Sequence, residues 1–111
     1  LTLAKLADLG YIIRRLRPAD ATAVTPYTFN EDEKKMLVCL EHDIWLRDKM
    51  LRGYAWSPET CEPLRLHRDI AAFRDVPAED QELDRVITET IPVVLHKHGF
   101  VLERKTGESP Q

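Results

Sequence analysis

The sequence predicts a mainly α-helical domain with short β-strands, an α+β arrangement in which helix dominates. Three observations carry that expectation. Apolar residues recur at helical spacing over about 31–51 and 78–98. A glycine followed by an aromatic and two aliphatic residues occurs twice, at Gly10-Tyr11-Ile12-Ile13 and Gly99-Phe100-Val101-Leu102, which predicts strands near 11–15 and 100–104. Between the helices, Tyr54 to Phe73 lacks a regular period but holds Pro58, Pro63 and several aromatics, so it reads as a long ordered loop.

Each element has its own local reason. Leu3, Leu6 and Leu9 share one side of a short first helix, and Gly10 suits the left-handed residue that ends it. Tyr11-Ile12-Ile13 reads as a strand leading into a basic run, Arg14 to Arg17, that forms a solvated face. Pro18 to Phe29, with Pro18 and Pro26, reads as an extended connection with turn chemistry. Asn30 is placed to cap the next helix, with Glu33 at the reciprocal capping-box position. Leu37, Leu40, Ile44 and Leu51 form its apolar stripe, and Arg52-Gly53 ends it. Pro77 opens the last helix, where Leu83, Val86, Ile87, Thr90, Ile91, Val94 and Leu95 form a stripe expected to be buried. Pro92 lacks the N–H that the Thr88 carbonyl would accept, which predicts a kink, and Gly99 ends the helix.

The stretch Leu6 to Ile13 echoes Leu95 to Leu102. One reading is a common helix-to-strand junction that recurs by chance. The other makes the start of the chain the tail of a preceding, similar unit. Pairing the two strands would cover an exposed edge.

Composition narrows the function classes. With 43% hydrophobic and 32% charged residues, the 111-residue chain has the mixture of one soluble globular domain. A net charge of -3 removes the usual electrostatic argument for direct nucleic-acid binding. No apolar run approaches the ~18–20 residues that span a bilayer, so direct membrane insertion is not expected. Four scattered glycines build no phosphate-cradling loop. Cys39 and Cys61 are too few for a disulfide framework, which favours a reducing cytoplasm. The chain starts at Leu1 without signal-peptide character, which reads as a module from a longer protein.

The richest chemical cluster is Glu41-His42-Asp43-Ile44-Trp45, followed by Gly53-Tyr54-Ala55-Trp56. On a helix Glu41, His42 and Trp45 fall beside the apolar stripe, and the next loop adds two aromatics. Flat rings suit a planar or cationic ligand, and arginines suit phosphate or carboxylate. The structural alternative is that the rings pack the core and the Glu–His pair holds a loop onto the helix. Cys39 and His42, or His96 and His98, lack the paired spacing of zinc sites, so no metal or other cofactor is expected. Cys39 lies between Val38 and Leu40 and reads as a small apolar filler, so no catalytic constellation is assembled and no enzyme is expected.

Residues 17–104 resemble the ryanodine receptor repeat (RyR) domain family, in its bacterial or phage single-domain form. The resemblance rests on Arg17-Pro18 with Asp20 and Val24, then Glu41-His42-x-x-Trp45 and Gly53-Tyr54-x-Trp56. It continues with His67-x-x-Ile70-x-x-Phe73, Val76-Pro77 and Asp84-Arg85, and closes with Pro92 and Gly99-Phe100. Tyr54 and Trp56 exchange the family's usual aromatics, while Ser57, Arg68, Ala72 and Gln81 stand where glycine, proline, proline and lysine are common. The resemblance implies a small helical fold with short strands, used in animal calcium-release channels as paired, non-catalytic cytoplasmic repeats. In bacteria and phages it implies a module alone or beside other domains, NAD-binding ones included, for which nucleotide-like ligands have been proposed.

The expected function is therefore a non-enzymatic regulatory ligand-binding module that senses a nucleotide-like small molecule. Trp45, Tyr54, Trp56 and Phe73 would form the pocket, Glu41, His42 and His67 its polar groups, and Arg47 or Arg85 a cation. The alternative is a protein–protein interaction or dimerisation domain without a ligand. The partners expected are that small molecule, a second copy and a neighbouring domain. The domain plan is an extension at 1–16, an RyR-like domain at 17–104 and a flexible tail at 105–111.

Overall fold

The computed structural model describes residues 2–105; the tail expected at 105–111 lies outside them except for Lys105. The element order is α1 (Leu3–Asp8), β1 (Tyr11–Arg15), α2 (Glu31–Leu51), β2 (Ala55–Trp56), β3 (Leu66–His67), α3 (Ala78–Lys97) and β4 (Phe100–Arg104). Single turns of 3-10 helix lie at Pro18–Asp20, Glu62–Leu64 and Phe73–Asp75. The architecture is the expected α+β one. The chain divides into two compact units, one of residues 1–29 with 89–111 and one of residues 30–88.

In the first unit β1 and β4 form an antiparallel pair, with Tyr11 opposite Arg104 and Arg15 opposite Phe100. Both strands follow glycines at positive φ, +96° at Gly10 and +87° at Gly99, where a side chain would be strained. The repeated junction is thus one device used twice. Leu6, Tyr11, Leu16, Phe29, Val101 and Leu102 are buried. Successive strand residues point to opposite faces, so burial of both Val101 and Leu102 means β4 is covered on both sides. Tyr11, Tyr27 and Phe29 meet edge to face with centroids 5.5–6.1 Å apart. His96 Nε2 donates to the Val24 carbonyl at 2.7 Å, tying the proline-containing connection to α3.

In the second unit Asn30 and Glu33 make the expected reciprocal cap, with bonds of 2.8 and 2.9 Å. Leu37 and Val38 are buried, but Ile44 is 39% and Leu51 83% exposed, so the covered part of the α2 stripe is short. Cys39 is exposed and fills no core space. The 54–73 stretch is more regular than its sequence suggests. Ala55 pairs with Leu66 and Trp56 with His67 in a short parallel ladder. Two-residue strands leave no periodic trace in a sequence.

The expected buried stripe of α3 is corrected. Leu83, Val86, Ile87, Thr90 and Val94 are exposed, while Thr88 and Pro92 are buried. Ile91 and Leu95 are half-buried. The covered line runs through 84, 88 and 92, at spacings of four, about one residue off the apolar stripe. Periodicity identifies an apolar face but not what covers it. α3 continues through Pro92 without a break.

Replacing Asn30 with Ala removes a capping acceptor and is expected to cost about 1 kcal/mol. Leu37→Ala, at a fully buried site, is expected to cost roughly 2–5 kcal/mol. Urea unfolding of the two variants checks the order; equal losses would show that the core around Leu37 is loosely packed.

Candidate functional site

α2 places its most functional face about two to four turns below the capped start. Val38, His42 and Trp45 follow at spacings of four and three, so they stack along one side of the helix. His42 is 4% exposed. Its Nε2 lies 2.7 Å from the Ala71 carbonyl oxygen. A carbonyl only accepts, so Nε2 carries the proton and donates. The imidazole also stacks on Trp45, with centroids 5.5 Å apart, and packs against Phe73 at 5.7 Å. His42 therefore holds the loop onto the helix, the structural role weighed against a ligand contact.

The loop end is fixed from α3 as well. Arg68 makes a two-pronged bond to Asp80, Nε to Oδ2 at 3.0 Å and Nη2 to Oδ1 at 2.9 Å. Gln81 Nε2 donates to the Phe73 and Val76 carbonyls, both at 2.9 Å. The Asp69 backbone N–H donates to His67 Nδ1 at 3.0 Å, which leaves the proton of a neutral ring on Nε2. The His67 ring meets Trp45 edge-on at 5.0 Å.

These contacts frame a cavity of about 350 Å³ in the second unit. Glu41, His42 and Trp45 line it from α2, His67 and Asp69 from the turn after β3, and Asp84 and Ile87 from α3. Burial, a hydrogen bond with Asp80 and the charge of Asp80 push the Asp69 carboxyl up to about 6. Asp69 Oδ1 is buried with no hydrogen-bond partner. Asp80 is held below the usual carboxylate range, chiefly by the Arg68 fork. Burial also raises the Asp84 carboxyl.

Of the nine residues expected at the site, four meet in this cavity: Glu41, His42, Trp45 and His67. Phe73 supports it from behind His42. The other four are elsewhere. Arg47 lies about 140° round α2 from His42 and lines an open groove with Asp43, Leu46, Met50 and Leu51. Tyr54 bonds Glu62 and receives Lys49 over its ring at 4.5 Å. Trp56 is 57% exposed on β2. Arg85 Nε sits 3.8 Å from Glu82, outside the cavity lining. The cation expected at the site is thus not there, and none of the lining residues is Lys or Arg.

The sequence reading missed Asp69, Asp84 and Ile87 as site residues. Asp84 had a signal, since it follows Asp80 by one helical turn and precedes Ile87 by three residues. Asp69 had none beyond its place two residues after His67. Among the described residues no group of three His, Cys, Asp or Glu side chains could hold a metal ion. None of the described helices is long and apolar enough to cross a membrane. The sequence matches no protein-family model and no curated protein.

The raised Asp69 carboxyl has a signed consequence for stability. Between the ordinary value of 3.8 and about 6 the folded state keeps a proton that the unfolded chain has released. Stability from this group therefore falls as pH rises through that window. Asp69→Asn removes the burdened charge but keeps the side-chain shape. After discounting for solvent, the variant is expected to gain ~1–2 kcal/mol on the parent above pH about 6, and nothing below pH about 4. Melts of both proteins across this range check it; a pH-independent difference would contradict the assignment.

Proposed function

We propose that the chain is a non-enzymatic regulatory ligand-binding module of a larger cytoplasmic protein, akin to the RyR repeat. It holds the base of a nucleotide-like small molecule in the cavity between α2, the 67–69 turn and α3. The observation that carries this reading is a cavity joining the ring walls of Trp45 and His67 to carboxylates, one with a buried, unpartnered oxygen. At about 350 Å³ it is near the low end of the ~300–1,000 Å³ typical of ligand pockets, which suits one ring system. The resemblance of the sequence to the RyR family points the same way.

The interaction or dimerisation reading is favoured by a different observation. Met50, Leu51, Trp56 and Leu64 of the second unit are 57–83% exposed. Scattered apolar residues are ordinary on a surface, so this reading needs an association that light scattering can measure. A molar mass that stays monomeric across a wide concentration series removes it.

Nucleosides and nucleotides titrated against the full chain, followed by tryptophan fluorescence and thermal shift, test the ligand reading. At least one nucleoside is expected to raise the melting temperature. Ile87→Arg changes an exposed cavity residue, so the fold is expected to persist while binding drops at least ten-fold. Absence of any shift across the panel overturns the reading.

A further inference from the structure

We propose that the cavity selects a planar N–C–N group with adjacent N–H donors, gripped at Asp84 and Asp69 with Trp45 on its face. This rests on the ligand-binding reading above and names the chemistry of the group bound. An edge of this kind is shared by a guanine base and a guanidinium compound.

The donors and acceptors that line the cavity favour a donor-rich ligand. Ionised Glu41, Asp69 and Asp84 only accept. The His42 Nε2–H is engaged with the Ala71 carbonyl, so in the neutral ring its remaining nitrogen accepts. The His67 Nδ1 lone pair is engaged with the Asp69 N–H, which leaves a single ring donor, at Nε2. No lysine or arginine lines the cavity to add donors. A phosphate or carboxylate would meet three carboxylates and no lysine or arginine, so the anionic part of any ligand stays outside.

The two acidic groups on α3 and the turn are also open to such a partner. The Asp84 side chain makes no hydrogen bond among the described residues, although burial raises its pKa. Both its oxygens can receive parallel N–H groups, the two-pronged geometry a carboxylate offers an amidine-like edge. Asp69 Oδ1 can take a third N–H. By contrast Asp80 is already engaged with Arg68. The groups that face Asp69 are Asp80 and Asp84 from α3 and Arg68 beside it. Because Asp69 holds its proton up to about 6, donors bind better once it ionises, and binding releases that proton.

Calorimetric titrations of the full chain with guanosine, inosine, adenosine and methylguanidinium test the proposal. Guanosine or methylguanidinium is expected to bind at least ten-fold more tightly than adenosine and inosine, which lack the complete donor edge. Guanosine alone assigns a base, and methylguanidinium alone assigns a guanidinium compound. Asp84→Asn relieves a buried charge, so it is expected to fold and to lose at least ten-fold in affinity. Affinity is expected to weaken at least three-fold from pH 7 to pH 5. Equal binding of adenosine and guanosine with methylguanidinium silent, or an Asp84→Asn variant of unchanged affinity, overturns the donor rule and leaves the module reading standing. Silence from every compound overturns both.

Discussion

The hydrogen bond from His42 to the Ala71 carbonyl is the contact on which the second unit depends. A buried imidazole must place its N–H, and a loop carbonyl removed from water must find a donor. One bond of 2.7 Å satisfies both. It fixes the 67–73 segment against the middle of α2, and with it the ring contacts of Trp45, His67 and Phe73. Arg68 and Gln81 supply the matching links to α3. Side chains here do what a sheet does in a more regular domain, since the ladder in this segment is only two residues long.

Much of the fold could be read from the residues because its signals are local. The Asn30–Glu33 cap, the ends of α2 and the two strands after Gly10 and Gly99 follow from chemistry within four residues. The parallel β2–β3 ladder could not be read, because its partners are eleven residues apart and its strands too short to show a period. Coverage of α3 was also illegible. Leu83, Val86 and Ile87 look like a core face, yet burial follows Thr88 and Pro92.

The site was legible on α2 and not across from it. Glu41, His42 and Trp45 share a helix face by spacing alone, whereas Asp69 and Asp84 join them only through the folded loop. The arginines misled for the same reason. Arg47 is five residues from His42, near in sequence but well round the helix. Arg68 and Gln81 are the residues that moor the loop to α3.

The β1–β4 pairing extends one bond past its strands, where the Lys105 N–H donates to the Gly10 carbonyl at 2.8 Å. The bond therefore holds Gly10 and Lys105 side by side at the base of the pair. A pull applied at Gly10 and Lys105, which lie at the same end of the antiparallel ladder, would unzip its bonds one after another.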